Sequence, residues 1–215
     1  MTDPHRSRPR AAYQARAEAL LAVLRDDFAV PRAERTIVAV AGESGSGKSV
    51  TAIDLAAVLN DTGVPTALMH QDNYFVRPPR TNHEFRLRDI CSVGPQEVQL
   101  DLMQLHMRAF RACGTVTAPI VNYPANRFDV HTLDFSAARV LVVEGTYALL
   151  LEEWDVGVFL EATYLDTEAR RKARNRDIDD PFVDQVLAIE HGIISSQAAR
   201  ADILLDKDFE ISRQR

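Results

Sequence analysis

Eight consecutive residues have the types and spacing of a phosphate-binding loop. They match the pattern G-x-x-x-x-G-K-[ST] and read Gly42, Glu43, Ser44, Gly45, Ser46, Gly47, Lys48 and Ser49. The glycines let successive backbone N–H groups converge on phosphate oxygens, while Lys48 adds a full positive charge and the Ser49 hydroxyl is a ligand for Mg²⁺. The loop therefore predicts that residues 42–50, which include Val50, bind a nucleoside triphosphate with Mg²⁺. A solvated glycine-rich turn is the competing interpretation, and the apolar run before the loop weighs against it.

Two carboxylates follow predicted strands. Asp72 comes after a strand that ends near His70, and Glu144 comes directly after the apolar run Val140–Val143. Ligands of parallel sheets bind at the carboxyl ends of the strands. A carboxylate at position 72 is placed to accept the proton of an attacking hydroxyl or to hold a water on Mg²⁺, and Glu144 is placed to bind Mg²⁺ through water. The alternatives are a solvated turn for Asp72 and a charge at a helix N-terminus for Glu144.

A cluster of basic side chains occurs in an otherwise acidic chain, at Arg170, Arg171, Lys172, Arg174 and Arg176. A helix that Thr167 can cap would bring several of them to one face. We interpret residues 166–182 as a lid that closes over the triphosphate, with Arg174 and Arg176 as the catalytic pair. The alternative is a solvated helix face paired with the aspartates that follow it.

Short apolar runs alternate with helical patterns along the chain. Runs at residues 36–41, 65–69, 116–121, 139–143 and 156–160 are typical of strands buried on both faces, a last short strand is expected within 201–207, and helices are predicted at 11–28, 49–60 and 95–113. This alternation predicts an α/β fold with three layers and a mostly parallel central sheet. Residues 71–94 and 122–138 are long, polar and broken by prolines, so we expect them to be irregular and to bind the substrate.

Composition limits the partners and the compartment. The 215 residues include 25 basic and 31 acidic side chains, for a formal net charge of −6, which excludes a general affinity for nucleic acid or anionic membranes. The two cysteines have no zinc-site spacing and suit a reducing compartment. No apolar run approaches the roughly 18 residues that span a bilayer. We therefore expect a cytoplasmic protein with neither a nucleic-acid nor a membrane partner.

The motifs also narrow the class of nucleotide-binding protein. The chain has no N-K-x-D segment for guanine and no Leu-Ser-Gly-Gly-Gln signature of ABC ATPases. The phosphate loop, Gln71-Asp72-Asn73-Tyr74, Val142-Val143-Glu144-Gly145 and Arg174-Asn175-Arg176-Asp177 together resemble the uridine kinase and phosphoribulokinase family, over roughly residues 36–206. The resemblance implies a P-loop kinase fold of the nucleoside-kinase type with a helical lid. It also implies transfer of the γ-phosphoryl group of ATP, with Mg²⁺, to an alcohol of a small molecule, with Asp72 as the base.

The acceptor of the phosphoryl group is less well defined. Uridine kinases usually carry an Asn-Phe-Asp-His-Pro block, and Val93 stands here in place of its aspartate. We expect Tyr123 and Arg127, from an altered tyrosine segment, to contact the acceptor, and Tyr74 either to contact it or to pack in the core. A ribonucleoside such as uridine or cytidine is the preferred acceptor. A non-nucleoside sugar or small alcohol, and a non-catalytic ATP-dependent switch, are the alternatives.

The predicted organisation is an N-terminal helical extension, residues 1–35, followed by a single kinase domain, residues 36–215. Lys48, Asp72, Arg174 and Arg176 are the predicted catalytic residues of this domain. A homo-oligomer is compatible with the sequence.

Overall fold

Helices and strands alternate along most of the chain in the computed structural model, which describes residues 10–32, 34–168 and 181–214. The α-helices in these ranges are α1 (Arg10–Phe28), α2 (Lys48–Asp61), α3 (Pro79–Arg88), α4 (Leu100–Arg111) and α5 (Pro181–Ile194). The strands are β1 (Thr36–Gly42), β2 (Thr66–His70), β3 (Thr115–Asn122), β4 (Arg127–Asp134), β5 (Val140–Glu144), β6 (Val156–Leu160), β7 (Ile203–Leu205) and β8 (Ile211–Arg213). None of the helices in these ranges is both long and apolar enough to cross a membrane.

The central sheet has six strands in the order β2-β5-β1-β6-β7-β8. The first five are parallel to their neighbours, and β8 is antiparallel to β7. Every residue of β1, β5 and β6 is buried, as expected for strands covered on both faces. The predicted α/β fold with a mostly parallel central sheet is confirmed.

Two hydrophobic cores lie on opposite faces of the sheet. Because side chains alternate along a strand, Ile37 and Ala39 of β1 pack with Met103 and other residues of α4. Val38 and Val40 point to the other face, where the core includes residues of α1 and α2. The layers are therefore helix, sheet and helix. The helix α1 shares its core with β1, and the predicted boundary of an extension at residue 35 stays a prediction.

Strands β3 and β4 form a β-hairpin that the sequence analysis did not predict. The prediction that residues 116–121 belong to the parallel sheet is wrong, because β3 pairs antiparallel with β4 in a separate two-stranded sheet. The prediction that residues 122–138 are irregular is also wrong in part, because β4 occupies residues 127–134 of that segment. Both strands alternate between exposed and partly buried positions, which is the pattern of a hairpin with one face toward solvent.

The carboxyl ends of β1, β2 and β5 meet at one edge of the sheet. In the strand register, Glu144 at the end of β5 lies beside Val40 of β1 on one side and beside His70 of β2 on the other. The chain after β2 continues as a 3₁₀ turn (Gln71–Tyr74) and then as α3, so only part of residues 71–94 is irregular. The phosphate loop, Asp72 and Glu144 are thus brought to the same edge. Most of the predicted lid, residues 169–180, lies outside the described residues.

Candidate active site

The loop between β1 and α2 has the backbone of a phosphate cradle. Gly45 and Gly47 have φ angles of 81° and 104°, in the left-handed region that favours glycine, and α2 begins directly afterwards at Lys48. A Cβ atom at Gly42 would lie 2.8 Å from the Ser46 hydroxyl oxygen, so the loop is closely packed there. The Lys48 ammonium donates a hydrogen bond to the Glu43 carbonyl at 3.4 Å. The N-terminus of α2 and Lys48 therefore offer positive charge to an anion in the loop.

Ser49, Glu144 and His70 form a chain of hydrogen bonds below the loop. The Ser49 hydroxyl donates to Glu144 Oε2 at 3.1 Å, and His70 Nδ1 lies 2.7 Å from Glu144 Oε1. The Glu144 side chain is only 3% exposed, so its carboxylate is held by these partners rather than by water. Burial acts to lower the pKa of His70, but the hydrogen bond and the charge of Glu144 outweigh it and raise that pKa.

Asp72 lies in the 3₁₀ turn after β2, beside Glu144. Asp72 is exposed and lines a cleft that Lys48 and Ser49 also line. Desolvation by the surrounding protein, together with the nearby charge of Glu144, raises the pKa of Asp72, and Lys48 opposes the shift. The Tyr123 hydroxyl at the tip of the hairpin donates to Asp72 Oδ2 at 3.4 Å. A carboxylate with a raised pKa is better suited to accept a proton than an unperturbed one.

Gln71 fixes the turn that carries Asp72 against the end of β5. Its amide oxygen accepts from the Tyr147 backbone N–H, and its amide nitrogen donates to the Thr146 hydroxyl, both at 2.8 Å. A Cβ atom at Gly145 would lie 2.3 Å from the Gln71 Cβ, so only glycine fits there. The close approach explains why a glycine follows Glu144.

Glu43 turns away from the phosphate cradle. Its carboxylate lies 2.6 Å from His191 Nδ1 of α5 and accepts from the Tyr164 backbone N–H, also at 2.6 Å. The Thr167 hydroxyl donates to the Ser44 carbonyl at 3.1 Å. The phosphate loop is therefore bonded to both of the described segments that flank residues 169–180.

A cleft of about 340 Å³ opens above the loop. Its described walls comprise Ser44, Gly45, Lys48, Ser49, Asp72, Phe75, Arg77, Pro79, Asn82, His83, Arg86, Tyr123, Thr146, Val183, Val186, Leu187 and Glu190. The loop and Asp72 form one end, residues of α3 and α5 form much of the rest, and Phe75, Arg77, Tyr123 and Thr146 complete the wall. The cleft is large enough for the reacting parts of a triphosphate and a small second substrate.

A polar network on the cleft wall escaped the sequence analysis. Arg86 makes two 2.7 Å hydrogen bonds to the buried carboxylate of Glu97 and a third, at 2.8 Å, to Glu190 of α5. Asn82 donates to the same Glu97 at 2.9 Å. These residues come from three separate segments of the chain, so no local sequence motif predicts the network.

The predicted site residues divide into three groups. Lys48, Ser49, Asp72 and Tyr123 line the cleft, and Glu144 contacts it through Ser49. The structure does not bring the following residues to the cleft: Tyr74, which is 1% exposed and bonds to His106 in the core; Val50, which lines a small cavity beside α1; and Arg127, which pairs with Asp129 on the hairpin. Arg174 and Arg176 lie outside the described residues.

The cleft combines two chemical functions at one end. The loop offers backbone N–H groups, Lys48 and the N-terminus of a helix to a polyphosphate. Asp72 lies beside it with a raised pKa and an opening to the cleft. Phosphoryl transfer requires positioning of the phosphates and compensation of their charge more than covalent chemistry, and this arrangement provides both.

Comparison with known proteins agrees with this geometry. A sequence model described as "Phosphoribulokinase / Uridine kinase family" matches residues 37–180. The bifunctional alpha-galactosidase/sucrose kinase of Mediterraneibacter gnavus is 28% identical over 195 residues, which cover 84% of this chain and 21% of that protein. The uridine kinase of Macrococcus caseolyticus is 30% identical over 149 residues, which cover 67% of this chain and 68% of that enzyme. The chain thus spans about a fifth of the length of the first relative.

A solved structure shares the fold. The phosphoribulokinase of Rhodobacter spheroides superposes with a TM-score of 0.59 at 17% identity, covering 80% of this chain and 70% of that one. At this identity the likeness concerns the fold alone. The family match, however, extends over well more than half of the sequence. The chain therefore belongs to the phosphoribulokinase and uridine kinase family of P-loop kinases.

Proposed function

We propose that this protein is an ATP-dependent kinase that transfers the γ-phosphoryl group to a hydroxyl of a small molecule. The observation that carries the proposal is the placement of Asp72 beside the phosphate loop, in the same cleft as Lys48 and Ser49. In this proposal the loop and Lys48 hold the triphosphate. The oxygen of the acceptor hydroxyl forms a bond to the γ-phosphorus while Asp72 takes the hydroxyl proton. The bond from the γ-phosphorus to the bridging oxygen breaks, and ADP leaves.

Ser49 and Glu144 fit a magnesium ion. They present a hydroxyl and a carboxylate oxygen 3.1 Å apart, which are the hard oxygen donors that Mg²⁺ takes. No group of three or more His, Cys, Asp and Glu side chains in the described part of the chain could hold a metal, which suits an ion that also takes phosphate and water ligands. When bound, Mg²⁺ offsets the charge of the β and γ phosphates.

A ribonucleoside such as uridine or cytidine is the first candidate acceptor. Relatives named as uridine kinases support it, among them the enzyme of Macrococcus caseolyticus. The aromatic side chains of Phe75 and Tyr123 on the cleft wall are suited to stack on a base. In this case the hydroxyl nearest Asp72 would be that of the ribose.

A non-nucleoside sugar or small alcohol is the second candidate. Val93, in place of the aspartate expected for uridine kinases, is 5% exposed and is not part of the cleft wall. The named sucrose kinase activity of a relative that aligns with 84% of this chain supports this candidate as well. A non-catalytic switch is less well supported, because a cleft with an acid beside the phosphate loop suits a second substrate.

The test is a screen for acceptor-dependent ADP formation with Mg-ATP. Uridine, cytidine, simple sugars and disaccharides would be compared, with product phosphorylation confirmed by mass spectrometry. We expect one class to raise ADP formation above the rate with ATP alone. No effect of uridine or cytidine would reject the first candidate, and no effect of any compound would reject the proposed kinase.

A further inference from the structure

Asn82, Arg86 and Glu190 leave hydrogen-bonding atoms unfilled on the cleft wall. Asn82 is 6% exposed, and its amide nitrogen faces the Glu97 carboxylate, which fixes the orientation of the amide. Its amide oxygen is buried without a hydrogen-bond partner. A buried acceptor without a partner costs free energy, and Asn82 lines the cleft, so a ligand group that reaches this oxygen and donates a hydrogen bond would remove that cost.

Glu190 offers a second acceptor to the same cleft. Its Oε1 atom accepts from Arg86, whereas Oε2 has no hydrogen-bond partner among residues 10–32, 34–168 and 181–214. The side chain is 13% exposed and lines the cleft. Arg86 Nη1 likewise makes no bond to a described residue, since its three bonds use Nε and Nη2. The wall therefore presents two acceptors and a donor.

The charge of this wall opposes an anionic ligand. One guanidinium, Arg86, faces the two carboxylates of Glu97 and Glu190, which leaves the group negative when both are ionised. Burial raises the pKa of Glu190, and the charge of Arg86 acts against that shift. A neutral hydroxyl both donates and accepts hydrogen bonds, so neighbouring hydroxyl groups match the unfilled atoms without adding negative charge.

We propose that Asn82, Arg86 and Glu190 bind the non-reacting hydroxyl groups of the acceptor, which is a neutral polyhydroxylated compound containing a sugar ring. Uridine kinases usually carry an aspartate where this chain has Val93. In this proposal Glu190 supplies the carboxylate that Val93 lacks. The inference rests on the proposed function, because it assigns the same cleft to an acceptor alcohol. It holds for a free sugar and for the ribose of a nucleoside.

One observation favours an anionic acceptor instead of a neutral one. The guanidinium of Arg77 lies 3.6 Å from the centre of the Phe85 ring and lines the cleft, and it forms no ion pair with a carboxylate in the described ranges. A phosphorylated or carboxylated acceptor could pair with it. Arg77 already stacks on an aromatic face, however, and the unfilled buried oxygen of Asn82 cannot bind an anion.

The test is binding without turnover, measured by isothermal titration calorimetry with Mg²⁺ and a non-hydrolysable ATP analogue. The neutral probes are uridine, D-ribose and sucrose, and the anionic probes are ribose 5-phosphate and D-glycerate. We expect a neutral probe to bind most tightly. We expect Glu190→Gln to weaken it at least about tenfold, because a charge-assisted hydrogen bond is lost, while affinity for the ATP analogue changes less than about twofold.

Two further variants serve as controls. Asp184→Asn removes an exposed carboxylate of the same helix and is expected to leave binding unchanged. Glu190→Asp keeps the negative charge but moves the carboxylate oxygens back from the cleft. This variant should also bind the neutral probe more weakly, while its affinity for the ATP analogue stays normal. Tighter binding of an anionic probe, no binding of any neutral probe, or an unchanged affinity in both Glu190 variants would overturn the inference. Binding without phosphoryl transfer would instead count against the proposed function.

Discussion

The Ser49 hydroxyl donates a 3.1 Å hydrogen bond to Glu144, a residue 95 positions later in the chain. The bond joins the first turn of α2 to the end of β5, the strand that pairs with β1, and β1 leads into the phosphate loop. The bond places a hydroxyl and a carboxylate side by side at the phosphate loop, and both are oxygen ligands suited to Mg²⁺.

Ser49 and Glu144 are expected to act on the same ion. Ser49→Ala and Glu144→Gln should each raise the Mg²⁺ concentration needed for tight ATP binding by at least about tenfold. The double variant should show less than the sum of the two effects, because both residues serve one ion. Titration calorimetry of ATP at several Mg²⁺ concentrations would measure this. Glu84→Gln, exposed on α3, is a control, and fully additive effects would contradict a shared ion.

Lys48→Ala should weaken ATP binding by about 10- to 100-fold and abolish turnover, because it removes a charged donor at the phosphate loop. Fluorescence displacement of a labelled nucleotide would measure the affinity. Arg108→Ala removes an exposed positive charge from α4, away from the cleft, and should bind ATP normally. Wild-type affinity in the Lys48 variant would show that the loop does not hold the triphosphate as described.

The sequence predicted the central sheet and one end of the cleft well. Strands such as β1 and β5 are continuous apolar runs, and that signal is local. The hairpin was missed because the polar composition of residues 122–138 and Pro124 favoured an irregular segment, although β4 alternates polar and apolar residues as a strand does. The Arg86–Glu97–Glu190 network was missed because its members lie in separate segments and meet only in the folded chain.

The position of Tyr74 also depends on structure that the sequence did not predict. Its position after β2 is compatible with an acceptor contact, but the 3₁₀ turn points it into the core, where its hydroxyl lies 2.8 Å from His106 Nδ1. The direction of a side chain after a strand depends on the turn that follows. The turn could not be read from the residues alone.

Stability should depend on pH through His106. Burial lowers the pKa of this histidine, so the unfolded chain binds a proton more readily than the folded one. Its contribution to stability is therefore fully present above the ordinary pKa of about 6.5 and is lost as the pH falls toward the lower folded value. Urea unfolding from pH 8 to 5 should show a smaller decline for His106→Gln than for the wild type. Parallel declines would contradict this, and His131→Gln on the hairpin is the control.

Gly145→Ala should lower the free energy of unfolding by about 1–3 kcal/mol, because the added methyl group meets the Gln71 side chain. Displacement of Gln71 should also move Asp72 and reduce kcat more than it reduces ATP affinity. Thermal unfolding and steady-state kinetics would measure both effects. Gly192→Ala is a suitable control, because an added methyl group there meets no atom within 4 Å. Equal stability of the two variants would show that the Gln71 side chain leaves room for a methyl group at position 145.

The most direct test of the account is phosphoryl transfer by Asp72→Asn, measured with an acceptor found in the ADP screen and with ATP affinity determined on the same sample. We predict that kcat falls about 10²- to 10⁴-fold, as expected for loss of a catalytic base, while ATP affinity changes less than about threefold. Transfer at the wild-type rate by this variant, with ATP bound, would contradict the assignment of Asp72 and with it the proposed mechanism.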